Sequence, residues 1–270
     1  MKKNEEIQGY YGSRFDVPSE WASVFSHFYY AVNSGKTPLS RTLLPDMRSL
    51  LVFSFNDPIT VNGKAVNETL VTAPLKKAIE YTMAPGCAML VASFKDDAAY
   101  RFFGRQIPHD TLFMNPDEIL GTICFAILHE QLLLLATPEE KINYLLNYSK
   151  AFLIESEFVS QTITQSISPK FNPVKVIAQQ QNISERSVQL HYKKYFGYSA
   201  KELAKFQRFQ NVMATLNTLL TQHQKVNWFD LIEANGYYDQ SHLISDFKHF
   251  TGVSPNNYIK LQQEFCFPTS

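Results

Sequence analysis

Ser184 and Asp239 stand 55 residues apart, and the residues around them follow one plan. Each is preceded by a short apolar helix-like segment and a turn: Val174 to Ala178 with Asn182 to Ser184, then Trp228 to Ala234 with Asn235-Gly236. Each is followed by a second helical stretch, with Val188 and Tyr192 in the first and Leu243 and Phe247 in the second. Each closes on G-x-S, at Gly197-Tyr198-Ser199 and Gly252-Val253-Ser254. Short helix, tight turn, longer helix and stop, stated twice, is a duplicated helix-turn-helix. Between the copies, Ser199 and Glu202 form a capping box for a long helix with Leu203, Phe206, Phe209, Met213, Leu216 and Leu220 on one side. In such a unit the first helix packs across the second, whose apolar inner face frees an outer face to enter a DNA major groove, roughly 12 Å wide.

On those outer faces, Arg186, Ser187 and Gln189 in the first copy, and Gln240, Ser241, His242 and Ser245 in the second, are candidates for base contacts. Arg186 has the fork for guanine and Gln189 the donor–acceptor pair for adenine. Lys193, Lys194 and Lys248 are candidates for phosphate. The competing view is that these are ordinary solvated faces; matched caps and turns in two frames weigh against it.

The same residues carry a family resemblance. Ile177-Ala178, Ser184, Val188, Tyr192-Lys193-Lys194, Gly197 and Ser199, and above all GYYDQSHL (Gly236 to Leu243) with Phe247-Lys248 and Gly252-Val253-Ser254-Pro255, resemble the double helix-turn-helix of AraC-type transcription regulators. The resemblance covers about Pro173 to Leu261. It implies double-stranded promoter or operator DNA as partner, two recognition helices in successive major grooves, and RNA polymerase as a further partner. Leu190 and Ser245 depart from it, since the family often has arginine at each place. Asp246 adds a carboxylate that would repel phosphate if exposed. DNA binding that is weaker, narrower in sequence or dependent on dimerisation is therefore expected. The alternative is a non-enzymatic interaction or dimerisation protein whose degenerate helix-turn-helix no longer reads DNA.

Upstream, the signals are mostly those of strands. SLLVFSF (Ser49 to Phe55) is an apolar run, Asn62-Gly63 marks a hairpin, and Ala78 to Met83 and Cys87 to Phe94 flank a turn at Ala84-Pro85-Gly86. One helix is expected around Ser19 to Tyr30, and helices again over Asp117 to Ala136 and Glu139 to Phe152, after caps at Asn115 and Thr137. The fold class expected is α+β: a β-rich, cupin-like barrel or sandwich with helices, then an all-α double helix-turn-helix. The divisions are 1–114 for the sensing or dimerising domain, 115–158 for a helical pair completing it, 159–171 for a linker, 172–264 for the DNA-binding domain, and 265–270 for a tail. Leu44 to Phe53 also resembles a motif of one AraC-type subgroup's N-terminal domains, and reads equally as a turn before a core strand.

Phe53, Phe55, Tyr81, Phe94, Tyr100, Phe102 and Phe103 could line a pocket for a small-molecule effector, or simply be core. The leucine-rich helical pair could be buried or could form a homodimer. Enzymatic chemistry finds no support. His27, His109 and His129 are far apart, and HEQLL (His129 to Leu133) has leucine where a zinc-protease motif needs its second histidine. No P-loop, dinucleotide fingerprint or G-x-S-x-G occurs. No catalytic residue, metal or cofactor is expected. Formal net charge is zero, so polyanion binding must come from local asymmetry. Three dispersed cysteines (Cys87, Cys124, Cys266), a basic start with no apolar segment after it, and no membrane-length apolar run predict a cytoplasmic protein without a membrane partner.

Overall fold

The computed structural model describes residues 3–7, 9–66, 68–108, 112–165, 173–222 and 224–264. The N-terminal part contains β1 (Lys3–Ile7), β2 (Tyr10–Phe15), β3 (Phe25–Asn33), β4 (Leu39–Leu43), β5 (Leu50–Phe55), β6 (Ile59–Val61), β7 (Lys64–Val66), β8 (Thr69–Thr72), β9 (Ile79–Met83), β10 (Ala88–Phe94) and β11 (Phe113–Met114). They form two antiparallel sheets, of order β1-β2-β3-β10-β5-β8-β11 and β4-β9-β6-β7. Of the two β architectures expected, this is the sandwich.

Strand alternation sends the larger sheet's side chains to two cores. Leu50 and Val52 pack with Ile59, Val61, Ile79 and Met83 of the smaller sheet. Leu51, Phe53 and Phe55 pack instead with helices on the opposite side. These are α1 (Ala98–Phe103), α2 (Pro116–Leu120), α3 (Cys124–Leu133) and α4 (Pro138–Ser149). β5 is therefore covered on both faces, which is why its sequence is a nearly continuous apolar run, broken only by Ser54, rather than an alternating one. The Asn62-Gly63 turn between β6 and β7 has positive φ at both residues, the primed-turn geometry that suits a twisted hairpin.

Two expectations are corrected here. The helix expected over Ser19 to Tyr30 is a single 3-10 turn, Ser19–Trp21, followed by β3. Phe25 and Phe28 mimic helical i,i+3 spacing, yet both reach the same core because the β3–β10 register shifts between Ser93 and Phe94. The single helix expected from Asp117 is two. Gly121 closes α2 at φ 65°, in the left-handed region that costs a side chain energy. The Asp117 carboxylate then accepts from the Phe125 and Ala126 amides, both at 2.9 Å, and so caps α3.

The segment expected to be a linker starts as a helix, α5 (Phe158–Gln165). Its Ile163 is fully buried in the C-terminal core. The rest of that linker, 166–171, together with the tail 265–270, His109 and Cys266, lies outside the described residues.

The C-terminal region comprises α6 (Pro173–Gln181), α7 (Glu185–His191) continued by a π-helical turn (Tyr192–Phe196), α8 (Ala200–Thr221), α9 (Trp228–Ala234), α10 (Gln240–Thr251) and α11 (Pro255–Glu264). The duplicated frame is visible in its caps. The Ser184 side chain accepts from the Ser187 amide and the Asp239 side chain from the His242 amide. Gly197 and Gly252 end the two second helices with positive φ. The capping box of Ser199 and Glu202 opens α8, whose Phe206, Phe209, Val212 and Leu216 join Val188, Leu243, Phe247 and Phe250 in one core.

The two halves are joined by specific contacts. Met47, inside the Leu44 to Phe53 motif, is buried in the C-terminal core, and the Ala78 amide donates to the Phe250 carbonyl at 2.9 Å. Lys76 Nζ meets Glu202 Oε1 at 2.8 Å. Burial alone would raise the Glu202 carboxyl, but bonds from Lys76 and from the Ser199 amide and hydroxyl outweigh it and hold the pKa at about 2. A folded-state pKa below the unfolded one adds stability above the unfolded value, and that stability is lost as pH falls. Between about 4.5 and about 2, wild type should therefore lose thermal stability relative to Glu202→Gln. Melting curves across that range test this; parallel curves would show that the carboxylate adds nothing.

Candidate nucleic-acid interface

The 55-residue offset places the outer faces of α7 and α10 in register. Arg186 corresponds to Ser241, Gln189 to Ile244, Leu190 to Ser245 and Lys193 to Lys248. The inner positions Val188 and Tyr192 correspond to Leu243 and Phe247, all buried. On α7, Arg186, Gln189 and Leu190 are exposed and Ser187 is half-buried, and Lys193 is exposed on the π-helical turn that continues it. On α10, Gln240, Ser241, Ser245 and Lys248 are exposed, while Ile244 is half-buried. Spacing of three, four and seven residues aligns each set on one stripe of its helix.

Three charged or polar groups stand differently from their sequence reading. Asp246 does not face outward. Its side chain is 2% exposed and pairs with Lys205 at 3.2 Å and Arg208 at 3.7 Å, both on α8. His242 is half-buried, edge-on to Tyr237, with its Nε2 3.4 Å from Arg208. Lys194 turns toward the N-terminal half, to Glu157 at 3.3 Å and the Tyr195 hydroxyl at 2.9 Å. The Tyr195 hydroxyl also donates to Glu157, and its ring packs edge-on against Tyr100. The hydrogen bond with Tyr195, then the Glu157 carboxylate, push the Lys194 pKa up.

Lys205 and Arg208 were missed by sequence reasoning. They anchor α10 to α8, and Arg208 also lies over the Tyr237 ring at 4.9 Å. Their signal was only that both sit one turn apart beside Phe206 and Phe209, the inward face of the long helix.

The aromatic residues proposed for a pocket are divided. Phe53, Phe55, Phe94, Phe102 and Phe103 come together, but as packed rings between sheet and helices, with Phe94 and Phe102 5.4 Å apart. Tyr81 lies in the other core, between the sheets, and Tyr100 at the junction of the halves. That junction holds a cleft of about 20 Å³, lined by Met47, Asp96, Tyr100, Arg105, Lys194 and Phe196 among others. A wider groove runs between Thr42, Asn62 and Glu80 of the smaller sheet and Lys248 and His249 of α10. His129 is buried on α3, its Nε2 donating to the Ser54 carbonyl at 2.7 Å and its ring stacked on Phe55. Among the described residues no three His, Cys, Asp or Glu gather as a metal site, and no helix is long and apolar enough to cross a membrane. Cys87 and Cys124 are free thiols.

Residues 177–261 match the family model of a helix-turn-helix domain. Comparison with curated proteins finds no match. Among solved structures the chain is similar to ToxT from Vibrio cholerae, at 11% identity and TM-score 0.42, over 84% of this chain and 99% of that one. Wild-type ToxT bound to unsaturated fatty acid gives 12% identity and TM-score 0.40, over 96% and 97%. A variant oxalate decarboxylase from Bacillus subtilis gives 11% identity and TM-score 0.27, over 69% of this chain and 36% of that one. At such scores these likenesses do not bear on what this chain does.

Proposed function

We propose, from the AraC-type helix-turn-helix domain that residues 177–261 form, that the protein is a sequence-specific DNA-binding transcription regulator. The observation that carries this is the pair of outer faces in the same frame. Each is held out by a buried inner stripe and an N-cap, and neither presents a carboxylate at the matched positions. α7 supplies Arg186 and Gln189 to base edges, with Lys193 for phosphate. α10 supplies Gln240, Ser241 and Ser245, with Lys248 for phosphate. The two helices enter successive major grooves, separated by about one helical turn, roughly 34 Å.

The N-terminal half acts as the regulator of that reading, through a small ligand, through dimerisation, or both. Its contacts support this role, because they fall at the ends of both second helices: Glu157 and Tyr100 at the turn after α7, and Ala78 at the end of α10. A ligand that prefers one arrangement of these contacts biases how the two outer faces are presented. The test is selection of genomic fragments by the full chain at moderate salt. Recovery of a motif with two boxes about one turn apart is expected. Binding without sequence preference, with and without cell extract as a source of effector, would overturn it in favour of a helix-turn-helix that no longer reads DNA.

A further inference from the structure

Leu190 is 58% exposed, a large apolar side chain in the middle of an otherwise polar face. It lies one turn from Arg186 and next to Gln189, and all three are directed away from the core that Val188 and Tyr192 enter. Exposed leucine on a helix is unremarkable singly, but this one occupies the surface meant to meet base edges. At the matched position of the second copy stands Ser245, also exposed but able to donate and accept. The two copies are thus chemically unequal at the same place.

We infer that Leu190 is a specificity-determining residue that reads the C5-methyl group of a thymine in the major groove, beside the base pair met by Arg186. The inference rests on the DNA-reading function proposed above. Of the groups that bases present in that groove, only the thymine methyl is apolar. Leucine against cytosine N4 or guanine O6 would remove water from a donor or acceptor and give no partner in return. Leucine against the methyl buries two apolar groups from water together. What looked in the sequence like a lost arginine contact is therefore a change of the base preferred. Leu190 supplies a thymine-reading face, while Arg186 makes its guanine contact four residues earlier.

The experiment uses the full chain and the DNA site it selects, with each thymine replaced in turn by deoxyuridine, which lacks only the methyl. Wild type is expected to bind about fourfold more weakly when one thymine in the box met by α7 is replaced, the equivalent of one methyl group buried. Leu190→Ala is expected to show that weaker binding on the unmodified site and to be indifferent to deoxyuridine at that position. Its dependence on salt should equal wild type's, since no phosphate contact is lost. Deoxyuridine effects that are the same in wild type and Leu190→Ala at every position would overturn the assignment and leave DNA reading intact. Failure of wild type to select any site, with and without cell extract as a source of effector, would overturn the DNA-reading function itself, and the inference with it.

Discussion

Asp246→Ala is expected to lower the unfolding free energy by about 3 kcal/mol, the lower end of the cost of breaking a buried ion pair. The carboxylate is 2% exposed and lies between Lys205 and Arg208. These two cations are each about one-third exposed, at 33% and 30%, so they can turn to water once the carboxylate is gone. That relief keeps the loss below the upper end. Arg208→Ala removes the partner instead of the buried charge, leaves Asp246 with Lys205 alone, and should cost a comparable amount. The Tyr237 hydroxyl shares this cluster: burial, and then the Asp246 charge, push its pKa up, and Arg208 lies over its ring. Denaturant titration of the single variants and of the Asp246→Ala/Arg208→Ala double variant provides the check. Coupling between the two sites is expected, and losses that simply add would show that the pair is not acting as one unit. Since the pair fixes α10 to α8, the same variants should also weaken DNA binding through the second box.

How much of this could be read from the sequence follows from how local each signal is. The C-terminal helices were legible because caps, turn residues and a 3.6-residue apolar repeat all lie within a few positions of one another, and the second copy tested the first. The central strands were legible for a similar reason: β5 and β10 are apolar runs broken by a single serine each, as suits strands covered on both faces. Phe25 and Phe28 misled because their spacing of three is helical, and only the pairing with β10, some sixty residues later, reveals the register shift that accounts for it. Which face of the sheet the aromatic residues occupy was equally hidden. Phe53 and Tyr81 look alike in sequence and are assigned to different cores by topology. Asp246, Lys205 and Arg208 look like three surface charges, and it is the docking of α10 on α8, across about forty residues of chain, that buries the carboxylate between the two partly exposed cations. For Leu190 the sequence showed only a departure from the arginine that the resemblance implies; how far its apolar side chain stands out into solvent was visible only in the structure.

Arg186→Ala/Gln189→Ala is expected to weaken binding to the selected site by about 100-fold and to erase the preference in one of its two boxes. Each bidentate base contact contributes about 1–3 kcal/mol of discrimination, and about 1.4 kcal/mol is tenfold in affinity, so two contacts of about 1.4 kcal/mol each, in the lower part of that range, give about 100-fold. Thermal stability should not change, because both side chains are exposed and the inner stripe of Val188 and Tyr192 is untouched. Lys193→Ala separates the two kinds of contact. It should weaken binding to all sequences alike and reduce the salt slope by about one, with the motif unchanged. On α10, where Ile244 matches Gln189, the polar pair is Ser241 and Ser245; Ser241→Ala/Ser245→Ala removes two hydroxyls rather than a guanidinium and a carboxamide, so a smaller loss is expected there. The first box should therefore be the more strictly specified of the two. Fluorescence anisotropy with wild-type and box-scrambled duplexes measures all three variants. Retention of wild-type affinity and motif by the Arg186→Ala/Gln189→Ala protein would show that α7 is not a reading helix, and would leave the exposed stripe of α7 to be explained by contacts with protein rather than DNA.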